Sequence, residues 1–120
     1  MNANGVEEQQ KIKRDLAKHA VALAMKSRWD EAVAVNRSIL TDYPDDLEAC
    51  NRLGKALSEL GHNRDAKDAF QQALAISPIN VIAKKNLDRL KRLADETPRS
   101  GPRSNATPQV FIEESGKAAV

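Results

Sequence analysis

The chain repeats one pattern of small and large apolar residues every 34 positions. The first copy consists of Leu16, Ala20, Leu23, Ala32, Leu40 and Pro44, and the second of Cys50, Gly54, Leu57, Ala66, Leu74 and Pro78. Spacings of three, four and seven residues put the large side chains of each helix on one stripe. A fixed period of this length indicates a helical unit that must stack on a copy of itself to bury its apolar face.

Small residues predict where two helices approach each other within each unit. Gly54 on the first helix and Ala66 on the second leave room for close contact, and Ala20 and Ala32 are the corresponding pair in the first copy. We therefore expect each copy to be a hairpin of two antiparallel helices.

Turn residues predict where these helices end. Proline lacks an amide proton, so Pro44 and Pro78 end the helices that precede them. Gly61 offers the backbone freedom that a hairpin turn needs, whereas its counterpart Ser27 does not. We therefore expect the two hairpin turns to differ in shape.

The second copy carries the most specific motif in the chain. It reads Cys50-x2-Leu53-Gly54-x2-Leu57, then Ala66-x3-Phe70 and finally Pro78. This order of residue types resembles the tetratricopeptide repeat. In the first copy, His19 stands where leucine is usual and Asn36 where phenylalanine is usual. A terminal repeat has a neighbour on one side only, so we interpret these polar residues as the expected cost of solubility.

The resemblance implies an all-α fold in which antiparallel helical hairpins stack as a short right-handed solenoid of five helices. The repeats span about residues 11–44 and 45–78, and a capping helix at about residues 79–95 covers the last repeat. The packed face of this fifth helix is expected to contain Ala83, Leu87, Leu90 and Ala94. Residues 1–96 then form one domain, and residues 97–120 form a disordered tail.

The residue types argue against catalysis. Only His19 and His62 could carry protons near neutral pH, and they have no obvious common partner. Cys50 lies on the packed stripe of the third helix, so we expect a buried thiol rather than a nucleophile. The sequence has neither metal-ligand spacing nor a phosphate-binding loop, so we predict a protein that is no enzyme and needs no cofactor or metal.

The N-terminal sequence does not resemble a targeting or membrane segment. No apolar stretch is long enough to cross a bilayer, and Glu7 and Glu8 precede any apolar run. We therefore expect a cytoplasmic protein with no membrane partner.

In proteins that this chain resembles, the first helix of each repeat lines a concave groove. The register places nine polar side chains there: Arg14, Lys18, Asn51, Arg52, Lys55, Lys85, Asn86, Arg89 and Arg92. Such cations suit the acidic side chains of an extended or helical peptide. We therefore predict an adaptor or scaffold that binds a protein or peptide partner, and a solvated basic face without a ligand is the competing interpretation.

The groove departs from the pattern of relatives that hold the C-terminal carboxylate of chaperones. Those relatives use a clamp of basic residues and asparagines. At matching positions the first helix has Ala17 and Val21, the third has Arg52, and the last has Ile82 and Asn86, so most of the charges needed to hold a terminal carboxylate are missing. We therefore do not expect a chaperone cofactor.

The tail contains one candidate ligand, formed by Phe111, Ile112, Glu113 and Glu114 within the apolar and acidic segment 110–114. Leaving Phe and Ile in water costs roughly 1.5 to 3 kcal/mol each relative to burial. We expect this segment to bind in the groove of its own chain, in that of a neighbouring molecule, or to an outside partner. A solvent-exposed end without a role is the alternative.

Two other classes of function stay open. The basic cluster at residues 84–92 favours association with RNA or the ribosome. The first helix has no preceding repeat to cover Leu16, Val21, Leu23 and Met25, which favours self-association. The chain would then be a monomer or a weak homo-oligomer.

Overall fold

The computed structural model describes residues 3–96, with side chains for residues 5–94. This part of the chain forms five α-helices and no strand: α1 (Ala3–Met25), α2 (Trp29–Asp42), α3 (Leu47–Glu59), α4 (Asn63–Ile76) and α5 (Val81–Glu96). Helix α1 packs on α2, α2 on α3 and α3 on α4, and α1 also contacts α3. The predicted all-α fold of helical hairpins is confirmed.

The hairpins are held together by apolar clusters at the small residues of the repeat. One cluster joins Leu23 of α1, Ala32 of α2 and Ala56 of α3, with Trp29 packed against it. The larger cluster is built from α3, α4 and α5: Cys50, Leu53, Leu57, Ala66, Ala69, Phe70, Ala73, Ala83, Leu87 and Leu90. These contacts bury the stripe that the 34-residue period predicts.

The closest approach in the second hairpin is between Gly54 and the ring of Phe70. A Cβ atom placed on Gly54 would lie 2.6 Å from Cζ of Phe70 and 2.7 and 2.8 Å from its two Cε atoms. Phe70 is fully buried, at 0% exposure. The ring therefore fills the space that the missing side chain of Gly54 leaves.

The first repeat has the opposite combination of sizes. Ala20 stands in place of Gly54, and the smaller Asn36 stands in place of Phe70. Asn36 is only 1% exposed, so its interpretation as a polar residue tolerated at a solvated end is wrong. Its Nδ2 donates to the carbonyl oxygen of Ala32 at 2.9 Å, and burial is possible because the amide is hydrogen-bonded.

Equivalent capping residues begin α3 and α5. The backbone N–H of Ala49 donates to Oδ1 of Asp46 at 3.0 Å, and that of Ala83 donates to Oδ1 of Asn80 at 2.7 Å. Asp46 and Asn80 are 34 positions apart, so the repeat also fixes where its first helix begins. The fifth helix runs over Val81–Glu96, and Ala94 is exposed rather than packed.

The two hairpin turns share one backbone conformation, so the expected difference in their shape is wrong. Ser27 has a φ of 58° and Gly61 a φ of 82°. In the first turn the N–H of Arg28 donates to the carbonyl oxygen of Leu23, and in the second that of His62 donates to Leu57, both at 2.9 Å. The hydrogen bonds that close the turn hold Ser27 in a conformation that normally favours glycine.

Replacing Ser27 by glycine should therefore stabilise the fold. Removal of the side chain relieves the left-handed strain, and we expect the free energy of unfolding to rise by about 0.5 to 1 kcal/mol. Urea unfolding followed by circular dichroism measures the change. Gly61→Ser is the matched control and should lose a similar amount, since a Cβ there meets nothing within 4 Å. Equal stability of all three chains would contradict this account of the turns.

The first helix is longer than the repeat requires, because it begins at Ala3. Lys13 of this helix lies over the ring of Tyr43, 4.6 Å from its centroid, and its Nζ is 3.4 Å from Oδ2 of Asp46. The hydroxyl of Tyr43 donates to the carbonyl oxygen of Gln9 at 3.4 Å. These contacts attach α1 to the turn between the two repeats.

The chain divides into two compact units, Met1–Leu90 and Lys91–Val120. Of the second unit the structure describes only the last turns of α5. The predicted disordered tail and its segment 110–114 lie outside the described residues. No helix within residues 3–96 combines the length and apolar character that crossing a membrane requires.

Candidate functional site

Arg89 is the cation that links α5 to α3 by a side-chain hydrogen bond. Arg89 of α5 donates from Nη2 to Oγ of Ser58 on α3 and to Oδ1 of Asn86, each at 3.0 Å. Asn86 in turn donates to the carbonyl oxygen of Ile82 at 2.8 Å. The guanidinium is therefore held in place by uncharged partners, and its positive charge is not neutralised by them.

Lys55 lies on the same side of α3 and is already paired. Its Nζ is 2.8 Å from Oε2 of Glu59, one helical turn later. The hydrogen bond from Lys55 lowers the pKa of Glu59, and the charges of Lys55 and Arg89 act in the same direction. Glu59 therefore stays ionised and offsets part of the positive charge of this surface.

Arg52 is oriented from within the first repeat. Its Nε donates to Oδ1 of Asn36 at 2.9 Å, and Asn36 is fixed by Ala32 as described above. The buried amide therefore orients the half-buried guanidinium across the junction between α2 and α3. We call Arg52, Lys55, Lys85 and Arg89 the basic face.

Lys85 is exposed, and within residues 5–94 it makes no ion pair or side-chain hydrogen bond. It is therefore a cation of the basic face that a ligand can bind without displacing a partner among the described side chains. Asn51 is half-buried on α3, and its Oδ1 has no hydrogen-bond partner among the described residues. This oxygen is itself buried, so it is not a contact point for a ligand from outside.

The remaining predicted groove residues are not brought into this network. Arg14 and Lys18 are exposed on α1 and pair with none of the side chains of residues 5–94. Arg92 is exposed and belongs to the second unit of the chain. The structure thus joins Arg89 to Asn86 and Lys55 to Glu59, while Arg14 and Lys18 bond to none of these side chains.

Sequence reasoning missed two residues that shape this surface. The hydrogen bond between Arg52 and Asn36 could not be predicted from the sequence, because it joins two helices and the residues are 16 positions apart. Glu59 could have been found, since an acid four positions after a lysine on a helix is a known pairing signal.

Apolar side chains of α1 and α5 are also exposed. Ile82 on α5 is 56% exposed, and on α1 Met25 is 81% and Val21 is 44% exposed. Leu23 is buried, so its inclusion among the uncovered residues of the first helix is wrong. It packs against Ala32 and Ala56, because the second helix and the next repeat cover that side of α1.

Cys50 is fully buried in the larger cluster. Burial raises the pKa of this thiol, and the charge of Asp46 adds to the effect. The thiol is therefore kept protonated and away from solvent, which is unsuitable for a nucleophile. Within residues 5–94, no three His, Cys, Asp or Glu side chains are grouped so that they could hold a metal ion.

Comparisons with known proteins find the same repeat in part of the chain. Residues 47–80 match the model of the tetratricopeptide repeat. The second TPR domain of human RPAP3, solved by NMR in complex with the HSP70 peptide SGPTIEEVD, is 26% identical, with a TM-score of 0.61. That match covers 63% of this chain and 63% of the RPAP3 chain, which is less than two thirds of either.

The TPR domain of Sgt2 from Aspergillus fumigatus is 20% identical, with a TM-score of 0.66, and shows the fold alone. This match covers 79% of this chain and 68% of the Sgt2 chain. A comparison with curated proteins gave no match. Residues 47–80 therefore match one tetratricopeptide repeat, and the described helices have the fold of the solved TPR domains.

Proposed function

We propose that the chain is a non-catalytic interaction module whose basic face binds an acidic segment of a protein or peptide. The observation that carries this proposal is that Arg89 and Lys85 form no ion pair within residues 5–94. Arg89 is positioned by neutral groups, and Lys85 is exposed without a partner among residues 5–94. Cations that form no ion pair are suited to ligand carboxylates through charge-assisted hydrogen bonds.

The RPAP3 complex supports a peptide as the ligand. Its peptide contains Ile-Glu-Glu, and residues 112–114 of this chain have the same three residues. Because a clamp for a terminal carboxylate is mostly missing here, we propose that side-chain carboxylates are recognised instead. The tail segment with Phe111 is then one candidate ligand, from the same chain or from a second copy.

Binding of a labelled peptide with the sequence of residues 107–116 tests the proposal. The full-length chain is used with Glu113→Gln and Glu114→Gln, so that its own tail offers no acidic competitor. We expect Lys85→Ala combined with Arg89→Gln to weaken binding by roughly tenfold, because two charge-assisted contacts are lost. Fluorescence anisotropy measures the dissociation constant.

The matched control removes two cations elsewhere. Lys84→Ala combined with Arg64→Gln changes net charge equally but alters other surfaces of α5 and α4, so its effect should stay below twofold. Equal losses in both variants, or equal binding of a peptide with both glutamates replaced by glutamine, would contradict the proposal. Tighter binding of RNA, with a steep salt dependence, would favour the nucleic-acid alternative.

Further details of the proposal are inferred from the sequence. A domain spanning residues 1–96, a role as adaptor or scaffold, and a cytoplasmic location are proposals of this kind. Self-association is addressed by sedimentation over a concentration range, since the exposed Val21 and Met25 could serve as a contact between copies.

A further inference from the structure

Glu59 is an acidic side chain in the middle of the proposed ligand surface. Its Oε2 is 2.8 Å from Nζ of Lys55, and both side chains are accessible, at 41% and 56% exposure. Arg89 donates to Ser58, the residue next to Glu59. The chain therefore supplies its own carboxylate where the acidic group of a ligand would be attracted.

We propose that Glu59 is a built-in competitor for Lys55 that weakens the binding of a second ligand carboxylate at this lysine. This inference rests on the proposed function. A first carboxylate can bind Lys85 and Arg89, which form no ion pair within residues 5–94. A second carboxylate competes with Glu59 for Lys55.

The exchange at Lys55 replaces one exposed ion pair by another of the same kind, so it adds little to affinity. With Glu59 in place, a peptide with two neighbouring glutamates should bind at most 1.5-fold more tightly than one with a single glutamate. If residue 59 is neutral, Lys55 is free, and the second glutamate should improve binding about threefold. Glu59 then determines both the affinity for the peptide and the difference in affinity between peptides with one and with two glutamates.

The test measures three peptides on two proteins. The peptides carry residues 107–116 with both glutamates, with Glu113→Gln, or with Glu114→Gln, and the full-length chain again carries both glutamine substitutions in its tail. We expect Glu59→Gln to tighten binding of the two-glutamate peptide about threefold and to change the single-glutamate peptides less than 1.5-fold. Circular dichroism verifies that the exposed substitution leaves the helices intact.

Glu31→Gln is the matched control, because Glu31 pairs with Arg28 on α2, with Oε2 2.6 Å from Nη2. It changes net charge by the same amount and should tighten binding of each peptide by less than 1.3-fold. Adding Lys55→Ala should abolish the gain from Glu59→Gln. Both results support direct competition at Lys55.

Two outcomes overturn the inference alone. One is that Glu59→Gln and Glu31→Gln have equal effects, and the other is that Glu59→Gln weakens binding, which would make Glu59 a support for Lys55. In either case binding that still requires Lys85 and Arg89 leaves the proposed function intact. Absence of binding in every variant overturns both.

Discussion

Phe70→Ala should lower the free energy of unfolding by about 3 to 5 kcal/mol. The ring is fully buried between α3 and α4 and lies directly against the backbone of Gly54. Its removal leaves a cavity at the place where the second hairpin is held together. Because a small domain has only about 5 to 15 kcal/mol of stability, the variant should be largely unfolded at moderate temperature.

Chemical unfolding followed by circular dichroism at 222 nm checks this loss. Leu74→Ala is the control, since Leu74 lies one turn later on α4 and is only partly buried. It should lose less than half as much. Similar losses for both variants would contradict the prediction, because the ring of Phe70 would then contribute no more to the stability of the fold than the side chain of Leu74.

Gly54→Ala should destabilise the fold by about 1 to 2 kcal/mol, although alanine favours helices. The helix propensity of alanine would stabilise α3 by roughly 1 kcal/mol. The new Cβ, however, would lie 2.6 to 2.8 Å from three atoms of the Phe70 ring, so the buried ring must move. Overpacking of this kind costs about 1 to 3 kcal/mol, and we expect it to exceed the gain in propensity.

A double-mutant cycle separates the two effects. In a Phe70→Leu background the smaller side chain leaves room for a Cβ, so Gly54→Ala should cost less than about 0.5 kcal/mol. A stabilising effect of Gly54→Ala in the original chain would contradict this account. It would mean that the gain in helix propensity exceeds the cost of the contact between the new Cβ and the ring of Phe70.

The sequence was sufficient for the parts of the fold that each repeat encodes locally. The motif from Cys50 to Pro78 predicted the second hairpin, and the same register predicted the first. Asp46 and Asn80 cap helices at equivalent positions, because a cap depends on residues only three positions apart. The face of α5 with Ala83 and Leu87 followed from helical periodicity.

The sequence was insufficient where the conformation or the burial of a residue depends on contacts with another segment. The conformation of Ser27 is imposed by hydrogen bonds of the whole turn, which residue preference alone does not reveal. Burial of Asn36 depends on partners in α2 and α3. For the candidate site, the register predicted which cations lie on α3 and α5. It did not predict that Lys55 pairs with Glu59, because the long lysine side chain can reach several neighbours.

The most direct test of the central proposal is to map the bound peptide by NMR. A ¹⁵N-labelled full-length chain with both tail glutamates replaced is titrated with the peptide of residues 107–116. We predict that the amide signals that shift most belong to residues 51–59 of α3 and 82–89 of α5. Shifts confined to α2 and α4, with α3 and α5 unchanged, would contradict binding at the basic face.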